Sequence, residues 1–189
     1  MSGFRLHLLR HGAPVIPGLM LGRTDMASTP EGIALCVRRA REAAFETVLA
    51  SDLIRASAAA EAIAAPRGLV PTISPRWREL DFGLWDGVAP AEIDADALQR
   101  FRDDPDRAPP PNGECWSDLV ARVSAGITAL APRDTLIVTH GGTIRAALAT
   151  LCGFDMHQVW AFDLPYAALV SLRVWPGSAP FAQITGIET

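Results

Sequence analysis

The chain has 189 residues, of which 49% are hydrophobic, and a formal net charge of −4. This length is enough to bury about two thirds of the unfolded surface in a single domain. The acidic balance does not indicate a nucleic-acid or membrane-surface partner. All 17 basic residues are arginine, which excludes Schiff-base chemistry, pyridoxal phosphate anchoring and a Walker-type phosphate-binding lysine.

The cysteines and the N-terminus indicate the compartment. Cys36, Cys115 and Cys152 are odd in number and have none of the spacings typical of zinc ligands, so we expect small, buried, reduced side chains. The N-terminus has no signal-peptide core, and no apolar run approaches the ~20 residues that span a bilayer. We therefore expect one soluble cytoplasmic domain over residues 1–189, and we leave open whether it forms a homodimer.

The chain begins with a strand that ends at charged and nucleophilic groups. An apolar run predicts a strand over Phe4–Leu9, and Arg10–Gly12 follow at its end. The loop over residues 13–27 is rich in proline and glycine. Ser28 or Thr29 is then expected to cap an amphipathic helix, since a proline and a glutamate follow at first-turn positions.

A second strand–helix unit comes next. Thr47–Ala50 predicts a short buried strand, and Ser51–Asp52 are expected to cap a helix that runs to about Ala64. Arg55 then lies in the first turn of that helix and is directed towards the end of the sheet. A further extended segment is expected over residues 70–74.

The middle of the chain contains a loop and three further elements. Trp77–Gly87 mixes acids, aromatics and glycines, fits neither the helix nor the strand period, and is predicted to be a functional loop. Helices are expected over Ala89–Phe101 and Trp116–Leu130. Asp134–Thr139 is the clearest buried strand, and a helix is predicted from about Thr143.

The order of elements predicts the fold class. Strands alternating with helices indicate a mostly parallel sheet with helices on both faces, a three-layer α/β/α fold. The last two predicted strands, Ala167–Val174 and Pro180–Ile184, follow each other directly, which favours an antiparallel edge.

Two predicted strands end in the same way, and this brings chemistry together. Arg10 and His11 follow the first strand, and His140 follows the strand that ends at Thr139. Parallel strands place both ends at the same edge, where α/β sheets bind ligands. Arg55 and Glu79 can approach that edge as well. Two imidazoles, two guanidiniums and a carboxylate are suited to phosphoryl transfer.

Each residue alone favours a plainer interpretation. A histidine at a strand end is more often structural than catalytic, and an arginine is more often an ion-pair partner; the joint pattern is what favours a site. A zinc site built from His11, His140 and Glu79 or Asp81 is the rival interpretation. The adjacent arginines oppose a cation and favour an anion.

Four separated motifs resemble the histidine phosphatase superfamily, which has the phosphoglycerate-mutase-like fold. Together they span the chain from Leu6 to about Leu151 in the family's order. The motifs are Leu9–Gly12, Ser51–Ala56, Glu79 with Phe82–Gly87, and Val138–Arg145.

The resemblance implies hydrolysis of a small phosphorylated substrate through a phosphohistidine, with no metal and no cofactor. His11 would attack phosphorus, and Glu79 would act as general acid and then as general base, with Asp81 as the backup for that acid. The groups implied to bind the phosphate are Arg10, His11, Arg55, His140 and Gly141. The substrate contacts expected at the cavity are Arg23, Thr24, Trp85 and Glu114.

Within the superfamily, the chain is most similar to the α-ribazole phosphatase branch. A broad sugar-phosphate phosphatase, a phosphoglycerate-type mutase and a catalytically silent phospho-ligand-binding domain are the alternatives. Many members have an asparagine six residues after the nucleophilic histidine, where this chain has Pro17, and Ser28 replaces a leucine. The loop at the entrance therefore differs from the family pattern. An aromatic nucleoside group could stack on Trp85 or Trp116.

Overall fold

A computed structural model describes residues 3–189, whose strands form one six-stranded sheet in the order β3-β2-β4-β1-β5-β6. The strands are β1 Phe4–Arg10, β2 Thr47–Ala50, β3 Thr72–Ile73, β4 Thr135–Thr139, β5 Leu169–Trp175 and β6 Phe181–Glu188. The α-helices are α1 Pro30–Arg39, α2 Ile54–Ala64, α3 Ala95–Asp103, α4 Trp116–Thr128, α5 Gly141–Cys152 and α6 Met156–Val159.

Strand direction brings two of the predicted motifs to the same edge. β1 and β2 both pair parallel to β4, and Arg10 is in register with Thr139, the last residue of β4. The chain segments that follow β1 and β4 therefore leave the sheet side by side. β5 pairs antiparallel to β1 and β6 antiparallel to β5, which confirms the predicted mostly parallel sheet with an antiparallel edge.

Helices cover both faces of the sheet, and each face has its own apolar core. Leu6 and Leu8 of β1 belong to one core, together with residues of α4 and α5. Leu9 belongs to the other, which includes the alanines of α2 and Cys36 of α1. The alternation along β1 is that of a strand buried on both faces, and the predicted three-layer architecture is confirmed.

Of the two expected caps of α1, Thr29 is the one that caps the helix, through a hydrogen bond from Gly32 N. The predicted caps of α2 need correction. Neither Ser51 nor Asp52 caps α2, because that helix begins at Ile54 and its N-cap position is Leu53. The carboxylate of Asp25, in the loop before α1, accepts from Ile54 N instead.

The remaining differences concern helix ends and cysteines. The helix expected over Ala89–Phe101 is a short 3₁₀ turn over Pro90–Glu92 followed by α3. α5 begins at Gly141, ahead of the predicted Thr143, and α6 was not predicted. Of the cysteines only Cys36 is buried, and the other two are partly exposed.

Across residues 3–189, no helix combines the length and apolar character needed to cross a membrane. The single-domain organisation of residues 1–189 and the homodimer stay predictions.

Candidate active site

His11 lies directly after β1, with its ring buried at the carboxyl edge of the sheet. Its side chain is 5% exposed, and its Nδ1 lies 2.7 Å from the carbonyl oxygen of Gly12. A carbonyl only accepts, so Nδ1 carries the proton and Nε2 has the free lone pair. Burial, followed by the charges of Arg55 and Arg10, lowers the pKa of His11 to about 3. The imidazole is therefore neutral at physiological pH and can act as a nucleophile.

His140 lies beside His11 and presents the opposite tautomer. The two rings meet edge-on with their centroids 5.1 Å apart. Arg55 Nε donates to His140 Nδ1 at 3.2 Å, so the proton of the neutral ring is on Nε2. Burial and the surrounding positive charges lower the pKa of His140. Its Nε2 is buried and has no hydrogen-bond partner within residues 3–189.

Arg55 is fully buried, and backbone carbonyls surround its guanidinium. Besides the bond to His140, Nη1 donates to Thr24 O, and Nη2 donates to both Leu21 O and Gly22 O, each at 2.8 Å. These contacts occupy four of its five N–H groups. One N–H of Nη1 remains for a ligand, and the position of the guanidinium is fixed by the loop over residues 21–24.

Arg10, the last residue of β1, has an unsatisfied donor, as His140 does. Its Nη1 donates to Leu164 O, and its guanidinium lies 4.3 Å from the ring centroid of Tyr166. The Tyr166 ring in turn lies 5.5 Å from that of His11. Arg10 Nε is buried without a partner among the described residues. A buried donor left unpaired costs about 1–3 kcal/mol, so ligand oxygens that accept from Arg10 Nε and from His140 Nε2 would remove that cost at each donor.

Glu79 faces the same space from the loop before α3, and two backbone amides fix its carboxylate. Leu80 N donates to Oε1 at 2.9 Å, and Gly142 N donates to Oε2 at 3.0 Å. A Cβ at residue 142 would lie only 2.3 Å from Oε1. The glycine at position 142 is therefore what allows the carboxylate to lie against the N-terminus of α5.

A cavity of about 290 Å³ is lined at one end by Arg10, Glu79, Gly141 and Gly142, whereas His11, Arg55 and His140 are not part of its lining. Most of its remaining wall is apolar and aromatic, and two further arginines contribute to it. These wall residues are Met20, Leu80, Phe82, Leu98, Phe101, Arg102, Pro105, Trp116, Leu119, Arg145 and Trp160. A small phosphoester can place its phosphoryl group at the arginines and its alcohol in the apolar part.

None of the four predicted substrate contacts lines this cavity. The Glu114 carboxylate is instead bound by Arg122, with Nε to Oε1 at 3.0 Å and Nη2 to Oε2 at 2.8 Å. Arg23 lies against Asp81 and Glu114, the Thr24 carbonyl accepts from Arg55, and the Trp85 ring packs edge-on against Phe101. Trp116, the other tryptophan on which an aromatic group could stack, does line the cavity.

The structure also bears on the two alternatives from the sequence. The Asp81 carboxylate accepts from Arg23 Nε and Gly83 N and does not line the cavity, whereas Glu79 does. Within residues 3–189, no three histidine, cysteine, aspartate or glutamate side chains form a group that could hold a metal ion.

Two residues of the site were missed by sequence reasoning. Ser28 Oγ lies 3.0 Å from Gly12 O, the carbonyl that orients His11, and 3.1 Å from Arg55 O. The ring of Tyr166, the only tyrosine of the chain, lies against both Arg10 and His11. Neither residue belongs to a short motif, although a lone tyrosine just before a predicted strand was a usable signal.

Comparison with known proteins connects this geometry to a family. The model of the histidine phosphatase superfamily (branch 1) matches residues 6–185. A glucosyl-3-phosphoglycerate phosphatase of Mycobacterium tuberculosis H37Rv is 32% identical over 211 residues, covering 98% of this chain and 87% of that protein. An adenosylcobalamin/alpha-ribazole phosphatase of Escherichia coli K12 is 29% identical over 170 residues, 84% of each chain.

Solved structures agree with these matches. The alpha-ribazole phosphatase from Shigella flexneri has a TM-score of 0.84 at 26% identity and covers 98% of this chain and 96% of its own. A mycobacterial glucosyl-3-phosphoglycerate phosphatase in complex with VO3 has a TM-score of 0.83 at 27% identity, covering 97% and 98%. The resemblance that the sequence motifs indicate is confirmed.

Proposed function

This chain belongs to branch 1 of the histidine phosphatase superfamily, and on that premise we propose that it hydrolyses phosphomonoesters through a phosphohistidine at His11. The observation that carries the proposal is a nitrogen with a free lone pair, His11 Nε2, in the same cluster as two buried donors without partners, His140 Nε2 and Arg10 Nε. The donors match phosphoryl oxygens, and the lone pair matches phosphorus. Arg55 supplies a further charge that is present at any physiological pH.

In the first step, His11 Nε2 attacks phosphorus and the bond to the alcohol oxygen breaks. Arg10, Arg55 and His140 donate to the phosphoryl oxygens and stabilise the charge of the transition state. Glu79, protonated for this step, gives its proton to the departing alcohol. As the His11 ring gains positive charge, its Nδ1–H remains bonded to Gly12 O, which stabilises the phosphorylated imidazole.

In the second step, water replaces the alcohol. The Glu79 carboxylate takes a proton from this water as it attacks phosphorus, and the bond to His11 Nε2 breaks to release inorganic phosphate. The same acid thus serves both steps, and its two backbone bonds to Leu80 N and Gly142 N keep it on the leaving-group side throughout. Gly141, at the N-terminus of α5, adds the positive end of the helix dipole near the phosphate.

The cavity supports a substrate whose alcohol is small and partly apolar or aromatic. Phe82, Phe101, Trp116 and Trp160 lie along its wall, and aromatic side chains stack on planar rings. We propose α-ribazole phosphate as one candidate substrate and a sugar phosphate, such as glucosyl-3-phosphoglycerate, as the other. Both are named among the substrates of the relatives described above.

Hydrolysis of p-nitrophenyl phosphate, with and without a chelator, tests the proposed function. The wild type should turn over equally in both conditions, while His11→Ala should lose activity and still show a cooperative unfolding transition in urea. Activity retained by His11→Ala would refute the covalent mechanism, and activity abolished by the chelator would favour a metal-dependent one. A panel of phosphomonoesters containing the two candidate substrates then ranks them by kcat/KM.

A further inference from the structure

Asp86, at the end of the loop that carries Glu79, binds a row of consecutive backbone amides. Its Oδ1 accepts from Gly22 N at 3.0 Å, and its Oδ2 accepts from Arg23 N at 2.6 Å and Thr24 N at 2.9 Å. Within residues 3–189, Asp86 forms no ion pair with an arginine. Its hydrogen bonds therefore go to the backbone of one loop, about 60 residues earlier in the chain.

The other side of that loop faces Arg55. The carbonyls of Leu21, Gly22 and Thr24 accept from the Arg55 guanidinium at 2.8 Å each. The loop is thus bound through its amides on one side and through its carbonyls on the other. Because peptide planes are rigid, a carboxylate that fixes the Gly22 and Arg23 amides also fixes the Leu21 and Gly22 carbonyls, which share those two planes.

The chain of contacts ends at His140. Arg55 Nε donates to His140 Nδ1 at 3.2 Å, which leaves the proton of the neutral ring on Nε2. If the guanidinium shifts, Nδ1 can carry the proton instead. Nε2 would then present a lone pair to the phosphoryl oxygens rather than a hydrogen-bond donor.

We propose that Asp86 is a positioning residue for phosphoryl transfer, which fixes the Arg55 guanidinium through the backbone of residues 21–24 and thereby sets the tautomer of His140. This inference rests on the proposed function for its kinetic consequence. Its tautomeric consequence stands on the geometry alone. Asp86 does not line the cavity and acts only through Arg55 and His140.

Two substitutions at position 86 and one matched control test the proposal. Asp86→Ala removes all three acceptor contacts, while Asp86→Asn keeps one acceptor oxygen. Asp134→Ala is the control, because Asp134 is also an aspartate that accepts from a backbone amide, the N–H of Arg5 at 2.7 Å. Asp134 lies just before β4, at the end of the parallel strands opposite His11. Urea unfolding confirms that each variant is folded.

For p-nitrophenyl phosphate, we expect Asp86→Ala to lower kcat/KM about 100-fold, the cost of a catalytic group misplaced by about 1 Å. Asp86→Asn should lie between, roughly tenfold below the wild type, and Asp134→Ala should match the wild type in kcat/KM. In the Arg55→Gln background, Asp86→Ala should cause little additional loss, because the chain of contacts passes through Arg55.

Nitrogen-15 NMR of the histidine rings provides the readout that a purely structural role would not move. The wild type and Asp134→Ala should show His140 protonated at Nε2, and Asp86→Ala should show a larger share protonated at Nδ1. An unchanged tautomer, or losses that add in the Arg55→Gln background, would overturn the proposal. If the wild type lacks phosphatase activity, the proposed function fails, while the NMR comparison still decides the role of Asp86.

Discussion

Gly142→Ala gives the sharpest test of the placement of Glu79. The added Cβ would lie 2.3 Å from Glu79 Oε1, while ordinary contact begins near 3.4 Å. The carboxylate must therefore move by about 1 Å or rotate away from Gly142 N. Misplacing a catalytic group by this distance lowers the rate on the order of 100-fold. General acid catalysis as a whole contributes about 10²–10⁴-fold, so the expected loss lies within its range.

The choice of substrate isolates the acid. The value of kcat/KM reports transfer to His11, the first irreversible step, in which a poor leaving group needs a proton and p-nitrophenolate does not. We expect Gly142→Ala to lower kcat/KM for an alkyl phosphate such as glycerol 3-phosphate about 100-fold, and to lower kcat/KM for p-nitrophenyl phosphate less than tenfold. Glu79→Gln should show the same dependence on leaving group.

Stability provides the control for Gly142→Ala. Alanine in a helix is favoured over glycine by about 0.5–1 kcal/mol, which offsets the loss of the Gly142 N–H bond to Glu79, so the variant should unfold in urea close to the wild type. A Gly142→Ala enzyme that is folded and loses equal activity on both substrates would refute the assignment of Glu79 as the leaving-group acid.

Three further outcomes follow from the site. Since the pKa of His11 falls from 6.5 to about 3 on folding, the unfolded chain binds more protons than the folded one between these pH values, and the free energy of unfolding should drop as the pH is lowered through this interval. In urea titrations at several pH values, His11→Gln should make this drop smaller. An equal drop in the variant and the wild type would contradict the burial of a neutral His11 ring. Glu114→Gln removes the charge paired with Arg122 and should lower the free energy of unfolding by about 1–3 kcal/mol, with kcat/KM for p-nitrophenyl phosphate unchanged. A loss of activity without a loss of stability would support Glu114 as a substrate contact. Trp116→Ala should lower kcat/KM for aromatic phosphomonoesters roughly tenfold and leave the inhibition constant of inorganic phosphate unaltered, and equal weakening of both would place Trp116 outside the leaving-group pocket.

The sequence was most informative where local pattern and topology coincide. The apolar runs that end at Arg10 and Thr139 predict two strands, and parallel pairing of such strands needs no further information to bring His11 and His140 to one edge. The family motifs then supply Arg55 and Glu79. These elements are the parts of the site that the fold itself positions.

Contacts that depend on tertiary structure could not be predicted in this way. The resemblance implies that Glu114 contacts the substrate, but Arg122, eight residues later in α4, binds its carboxylate. The first turn of α2 is capped by Asp25 from another loop, because the Ser51–Asp52 pair lies too early in the chain. Similarly, nothing in the spacing of Asp86 indicates that it binds amides about 60 residues earlier.

The apolar wall of the cavity could not be predicted from the sequence either. Leu98, Phe101 and Trp116 show the helical periodicity of core residues, and single-helix patterns do not distinguish a side chain packed in the core from one that lines a pocket. Their role emerges only from the way α3 and α4 pack over the Glu79 loop.

Trapping the phosphorylated enzyme tests the central claim most directly. Glu79→Gln should slow attack by water, while p-nitrophenyl phosphate, whose leaving group needs no proton, should still phosphorylate the enzyme. Mixing the two and quenching in alkali preserves an acid-labile phosphoryl group, which mass spectrometry of the peptides locates. We predict one phosphoryl group on His11, formed at least as fast as the steady-state turnover. Turnover without a labelled His11, or a label on a different residue, would contradict the mechanism.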